Sequence, residues 1–128
     1  MRVLIVQSNR DLGLVWQRHL ERMQAEIDLV GRGEDALELL RRKRFDVIVL
    51  DLVLEEGSAF AVSDYAQFNQ SEANIVFVTD TSFFSDGSIF VHSANARAFI
   101  EKATPPDDLA AIVEHYGTPR EARNLAGT

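Results

Sequence analysis

The chain has 128 residues, of which 46% are hydrophobic and 26% charged, a balance typical of a globular domain with a buried core. On a soft prior of roughly 150 residues per domain, two full domains are disfavoured. The net charge of -7 disfavours a nucleic-acid partner, because a phosphate backbone would be repelled on average. Without cysteine, disulfide scaffolds, thiolate zinc sites and cysteine nucleophiles are excluded.

The sequence also bears on location and domain limits. Its apolar stretches are shorter than the ~18 residues of a membrane span, and the apolar run at residues 3–6 is too short for a signal peptide. We therefore expect a soluble, cytoplasmic protein without a membrane partner. Residues 1–117 are predicted to form one domain and residues 118–128, which have little apolar surface to bury, a flexible tail.

Short apolar runs without alternation predict strands that are buried on both faces, as in a parallel sheet. The strong candidates are residues 3–6, 47–50, 75–78 and 98–100, and residues 27–30 are a weaker one. We therefore expect five parallel strands.

Segments with helical periodicity separate these runs. The first has an apolar stripe that consists of Leu12, Val15, Trp16, His19, Leu20 and Met23. The second, residues 34–44, begins with acids and ends with bases, which suits the helix dipole. Ser58 predicts the N-cap of a third helix. The apolar residues of that helix are Ala61, Val62, Tyr65 and Phe68.

Two more helices are predicted in the second half of the chain. Residues 85–95 fit a short fourth helix, which Gly87 weakens. Residues 104–107, Thr-Pro-Pro-Asp, predict the start of the fifth. The apolar stripe of the fifth helix consists of Leu109, Ile112, Val113 and Tyr116. Alternating strands and helices predict an α/β fold with right-handed crossovers and helices on both faces of the sheet.

Polar residues follow several of the predicted strands. Asp51, Thr79 and Lys102 come after the third, fourth and fifth strand. Because ligands bind beyond the carboxyl ends of the strands in such sheets, we expect these side chains to converge at one rim. A carboxylate that can form an acyl phosphate, beside an ammonium and a hydroxyl that compensate phosphoryl charge, suits phosphoryl transfer.

Three segments carry a resemblance to a known family. Residues 45–58, with Asp51 in the phosphoacceptor position, residues 76–79, with a switch threonine, and residues 99–102, an aromatic three positions before a lysine, resemble the receiver domain of bacterial response regulators. The resemblance covers residues 2–116. It implies a doubly wound, flavodoxin-like (βα)5 fold whose parallel sheet has the order 2-1-3-4-5.

The resemblance also implies a function in two-component signalling, or phosphorelay. Asp51 would accept a phosphoryl group from a histidine kinase or phosphotransfer protein, with no enzyme activity beyond this transfer. Thr79 would hydrogen-bond the phosphoryl group, Phe99 would rotate inward behind it, and Lys102 would pair with Asp51 or the phosphate. Because no output domain is recognised, we expect a stand-alone receiver that acts through contact with a downstream protein.

One departure concerns the metal site that the family places beside the acceptor. Where family members have two acids, this chain has Gln7 and Ser8, a degenerate acidic pocket that offers only neutral oxygens. Magnesium usually takes one or two carboxylates, so we expect weak or absent Mg²⁺ binding and no required cofactor. Any metal would be held by Asp51 and the carbonyl of Val53. Loop acids at the same rim are an alternative source of a carboxylate, namely Glu55, Glu56 and Asp80.

Two hypotheses about mechanism therefore stay open. The first is a receiver phosphorylated at Asp51, and the alternative is a phosphorylation-independent pseudo-receiver that acts as a constitutive binding or dimerisation module. In either case the contact face, homodimeric or with a partner, would be that of the fourth helix, fifth strand and fifth helix. Phe83, Phe84 and Phe90 cluster around the fourth helix, where they either complete the core or form an apolar patch on this face. A nucleotide-binding enzyme is disfavoured, because residues 7–13 contain neither G-x-G-x-x-G nor a P-loop.

Overall fold

The computed structural model describes residues 1–79 and 96–117. Its parallel strands form one sheet with the order β2-β1-β3-β4-β5, which confirms the predicted topology. The strands are β1 (Arg2–Val6), β2 (Glu26–Val30), β3 (Val47–Asp51), β4 (Asn74–Thr79) and β5 (Ala96–Glu101). The predicted fourth helix at residues 85–95 and the tail at residues 118–128 lie outside the described residues.

Burial differs between the centre and the ends of this sheet. β3 is buried at every residue, and β4 at all but its first. β5, the last strand in the order, is only half-buried, so the prediction that it is buried on both faces was wrong. The weaker candidate became β2, which pairs with β1 at the opposite end of the sheet.

Helices cover both faces of the sheet, as predicted. Within the described ranges they are α1 (Arg10–Glu21), α2 (Gly33–Arg42), α3 (Ala59–Asn69) and α4 (Pro106–Gly117), the last of which is the fifth predicted helix. The core on the α1 and α4 side contains Trp16, Leu20, Leu109 and Val113 with Val3, Ile5 and Val49. The core on the other side contains Ala36, Leu40, Val62 and Ala66 with Leu4, Ile48 and Phe77. In the described part of the chain, each helix is too short or too polar to cross a membrane.

Caps explain where two of the helices begin. The side chain of Asn9 accepts from the backbone N–H of Leu12 at 3.1 Å and begins α1. Ser58 Oγ accepts from the N–H of Ala61 at 3.3 Å, which confirms Ser58 as the N-cap of α3. Each cap satisfies one of the N–H groups that a helix start leaves without an internal partner.

The buried side of α3 differs from the apolar residues that the sequence assigns to this helix. Val62 is buried, but Ala61 and Phe68 are exposed, Phe68 to 80%. The face that packs on the sheet consists of Ala59, Val62, Ser63 and Ala66. The apolar residues of α3 therefore lie on two sides of the helix, of which one faces outward.

Gln70 joins α3 to the segment between α2 and β3. Its amide oxygen accepts from the N–H of Phe45 at 2.9 Å, and its amide nitrogen donates to the carbonyls of Leu40 at 2.8 Å and Lys43 at 2.6 Å. The residue is only 4% exposed, so water has little access to these backbone groups. One side chain thus satisfies three main-chain groups that would otherwise be costly to bury.

We predict that Gln70→Ala lowers the free energy of unfolding by about 2–4 kcal/mol, because buried backbone groups lose their partners. Urea denaturation followed by circular dichroism measures this change. Asn69→Ala is the matched control, since the neighbouring Asn69 is exposed and makes one surface bond to the carbonyl of Tyr65. A loss for Gln70→Ala that equals the loss for the control would contradict the assignment.

Candidate functional site

The carboxylate of Asp51 is buried at the carboxyl end of the sheet. Asp51 is the last residue of β3 and is 1% exposed. Its Oδ1 accepts from the N–H of Val53 at 2.9 Å, and its Oδ2 accepts from Gln7 Nε2 at 2.8 Å. The ammonium of Lys102 lies 3.1 Å from the same Oδ2. A buried carboxylate is thus held by two neutral donors and one cation, all from the protein itself.

Lys102 reaches Asp51 because β4 and β5, after a register shift between Ile75 and Val76, stay paired up to their carboxyl ends. Thr79 pairs with Glu101, and the backbone N–H of Lys102 then donates to the carbonyl of Thr79 at 2.9 Å. The Lys102 side chain keeps 35% of its surface exposed while its ammonium contacts Asp51. The expected proximity of Asp51 and Lys102 is present.

Gln7 faces Asp51 with its nitrogen, which differs from the expectation that it offers an oxygen to this pocket. Gln7 is 2% exposed, and its amide oxygen accepts from the N–H of Asn9 at 2.9 Å. The opposite amide orientation would place two oxygens together at Asp51 and two N–H groups together at Asn9. Gln7 therefore acts as a hydrogen-bond donor to Asp51, whereas the expectation from the sequence concerned only the neutral oxygen of its amide.

Ser8 faces away from Asp51, toward two neighbouring loops. Its hydroxyl donates to the carbonyl of Gly31 at 2.9 Å and accepts from the N–H of Glu55 at 2.9 Å. The structure therefore separates Gln7 from Ser8, which the sequence had grouped in one pocket. Ser8 connects the loop after β2 to the loop after β3.

The same two loops touch a second time through glycine. Gly57 has a φ of +93°, a conformation that side chains rarely adopt, and a Cβ there would lie 2.9 Å from the Cα of Gly33. The N–H of Gly33 donates to the carbonyl of Glu56 at 2.9 Å. The sequence contains both glycines, but their contact depends on the positions of two separate loops.

The loop acids that the sequence offers as an alternative source of a carboxylate for a metal are not shown beside Asp51. The Glu56 carboxylate lies 3.6 Å from Arg32, which also pairs with Asp35 at 3.1 Å. The hydrogen bond with Asp35 and then the nearby carboxylates raise the pKa of Arg32. Glu55 is exposed, and Asp80 lies outside the described residues. Within residues 1–79 and 96–117, no group of three or more His, Asp or Glu side chains is placed to hold a metal ion.

Thr79 and Phe99 belong to the other face of the sheet. Thr79 ends β4, is 1% exposed, and follows Val78, whose register partner on β3 is Asp51. The ring of Phe99 is half-buried and stacks on the ring of Phe77 with 5.1 Å between centroids. Since alternate residues of a strand share a face, Thr79 lies on the same face as Phe77. Thr79 is therefore one residue beyond the register partner of Asp51, and Phe99 packs against the core beside α2 and α3.

Two other predictions concern His19 and the contact face. His19 is a partly buried residue at the edge of the core, as predicted, with its Nε2 3.6 Å from the Asp107 carboxylate. The predicted contact face is described only at β5 and α4, because residues 85–95 lie outside the described part of the chain. That face stays a prediction.

The sequence of this chain is similar to those of known response regulators. The family model described as "Response regulator receiver domain" matches residues 3–114. The response regulator protein PilR of Pseudomonas aeruginosa is 28% identical over 96% of this chain and 27% of its own length. This chain thus spans about a quarter of the length of that curated relative.

Solved structures agree with the fold. The signal receiver domain of a putative Luxo repressor protein from Vibrio parahaemolyticus has a TM-score of 0.83 at 23% identity, over 99% of this chain and 97% of that one. A CheY-like response regulator receiver domain protein from Methanospirillum hungatei has a TM-score of 0.81 at 21% identity, over 91% and 92% of the two chains.

We predict that Lys102→Met lowers the free energy of unfolding by about 1–3 kcal/mol, because it leaves the buried Asp51 carboxylate without its cation. In an Asp51→Asn background the same substitution should cost clearly less, since no charge then needs compensation. A double-mutant cycle measured by urea denaturation gives the coupling directly. Additive effects of the two substitutions would show that the ion pair contributes nothing to stability.

Proposed function

The chain belongs to the response regulator receiver domain family, and from that premise we propose that it is a signalling module that acts on a downstream protein by direct contact. We further propose that it does so without phosphorylation of Asp51. The observation that carries this proposal is the bond from Gln7 Nε2 to Asp51 Oδ2 at 2.8 Å. It supplies from the protein the stabilisation that a bound cation would otherwise give the carboxylate.

The donor set around Asp51 supports this proposal because it does not fit a magnesium ion. Magnesium needs an octahedral shell of oxygens, but Asp51 Oδ2 already receives an amide N–H and an ammonium. The amide oxygen of Gln7 is used by the N–H of Asn9. Each carboxylate that is missing from the site should cost about 1–3 kcal/mol of metal binding, or one to two decades in affinity. We therefore propose that the site works without Mg²⁺.

A second candidate function is phosphoacceptance at Asp51, and a specific observation favours it. The Lys102 ammonium lies 3.1 Å from the carboxylate and the side chain is 35% exposed, so it could compensate the charge of a phosphoryl group that arrives from solvent. In that case an Asp51 oxygen would bond to phosphorus as the bond to nitrogen in a phosphohistidine donor breaks. The donor would be a histidine kinase or a phosphotransfer protein, and Thr79 and Phe99 would carry the change to the contact face.

Incubation with a small phosphodonor such as acetyl phosphate, with and without Mg²⁺, separates the two candidates. We expect intact mass spectrometry to find no phosphoryl adduct, because Gln7 and Lys102 engage the carboxylate and, among the described residues, no acidic cluster is placed to hold a Mg²⁺ ion for an incoming phosphate. Asp51→Asn serves as the control for labelling elsewhere. A Mg²⁺-dependent adduct that Asp51→Asn abolishes would overturn the proposal and support phosphoacceptance.

A second experiment tests whether the missing carboxylate at position 7 accounts for the weak Mg²⁺ binding that we propose. We predict that Gln7→Asp binds Mg²⁺ about 10–100-fold more tightly than the unmodified chain, because it replaces a donor with a second carboxylate beside Asp51. Gln7→Asn is the matched control, since it has the same size without the charge. Calorimetric titration measures the affinities. Equal affinities of Gln7→Asp and Gln7→Asn would contradict the argument.

A further inference from the structure

The outer side of α3 has two exposed aromatic rings in one row. Phe60 and Phe68 are 40% and 80% exposed, and the exposed Asp64 lies midway between them. Residues four apart lie on one ridge of a helix surface, so the order along the ridge is ring, carboxylate, ring. A single exposed ring is ordinary, but two on one ridge form a patch of the kind that marks an interaction site.

The composition of α3 also indicates that its outer side is an interaction site. Asp64 is the one charged residue in the sequence of this helix, whereas α2 carries acids in its first turn and bases in its last. A helix with apolar residues on opposite sides is usually covered on both. Since Val62 and Ala66 face the core, the ridge of Phe60 and Phe68 is the second apolar side.

The ridge carries a negative charge at its centre. Asp64 is exposed between the two rings, on a chain of net charge -7. The nearest acids along the chain, Glu56 and Glu72, lie outside the helical residues of α3, and Glu56 pairs with Arg32 at 3.6 Å, so Asp64 alone supplies the charge of the ridge. The complement of the ridge is an apolar surface with a positive charge at its centre.

A second copy of this chain fits that surface poorly. In a two-fold contact centred on the ridge, Phe60 would meet Phe68 of the other copy, and Asp64 would meet the other Asp64. Two like charges brought together in a contact that excludes water are unfavourable. The charge pattern therefore favours a different, basic partner.

We propose that the outer face of α3 docks an amphipathic helix of a partner protein that presents a lysine or arginine between two aliphatic residues, one turn before and one turn after. The basic residue pairs with Asp64, and the aliphatic residues pack beside Phe60 and Phe68. Two ridges of this type interdigitate at a crossing angle of about -50°. The proposal rests on the proposed function only in that the module acts through direct protein contact.

The test uses two fluorescein-labelled helical peptides that differ at one position. One has a row of leucine, lysine and leucine at four-residue spacing on an alanine and glutamine background, and the other has glutamate in place of the lysine. Fluorescence anisotropy is measured with the full chain. We expect the lysine peptide to bind at least about tenfold more tightly than the glutamate peptide.

Variants of the chain locate the contact. Phe68→Ala should weaken binding of the lysine peptide by about tenfold or more, because it removes the more exposed of the two rings in a small contact. Asp64→Lys should reverse the preference in favour of the glutamate peptide. Glu21→Lys, at the exposed end of α1 on the other side of the sheet, makes the same charge change and should leave the preference unaltered. Circular dichroism checks that these surface substitutions leave the fold intact.

Three results of the peptide assay would overturn the proposal. They are the absence of binding, equal binding of both peptides, and a change of preference in Glu21→Lys. Self-association of the chain in sedimentation that Phe68→Ala abolishes would also overturn it, in favour of a second copy. The peptide assay uses the chain without a phosphodonor, and the phosphodonor experiment measures mass alone, so failure at α3 and failure of the phosphodonor experiment are separate results.

Discussion

A carboxylate that is almost fully removed from water must find its partners inside the protein, and Asp51 sets this requirement for the whole rim of the sheet. The parallel strand order meets the requirement, because it brings the ends of β1, β3 and β5 to the same edge. Gln7 then arrives from β1 and Lys102 from β5, one as a neutral donor and one as a cation. The interaction that holds the site is therefore internal to the chain and, among the described residues, includes no second acid.

The two residues after β1, Gln7 and Ser8, have separate structural roles. Gln7 turns inward and binds the carboxylate, while Ser8 turns sideways and bonds to Gly31 and to the N–H of Glu55. The first position sets the chemistry at Asp51, and the second holds the surrounding loops together. In the described residues this rim is thus a fully hydrogen-bonded structure, since no buried side-chain nitrogen or oxygen is left without a partner.

The loop that leaves Asp51 also leads to the surface on which the further proposal depends. It runs from Val53, whose N–H bonds to Asp51, to Ser58, whose hydroxyl caps α3. Between these two points the loop is bonded to Ser8 and packed against Gly33. The orientation of α3, and with it the outward position of Phe68, is therefore set from the same edge of the sheet as the carboxylate. The loop thus joins the site to the helix whose outer face is proposed for docking.

The sequence by itself determined the features that depend on local patterns. Apolar runs located the strands, helical periodicity and Ser58 located the helices, and the position of Asp51 and Lys102 after their strands predicted that they would meet. Only the tertiary structure decided which end of the Gln7 amide faces Asp51, where the Ser8 hydroxyl bonds, and which apolar residues of α3 face the solvent. An amide and a hydroxyl can each donate or accept, so their role depends on which groups distant segments place beside them. The apolar residues of α3 are alike in hydrophobicity, and the rotation of the helix against the sheet selects the ones that are buried.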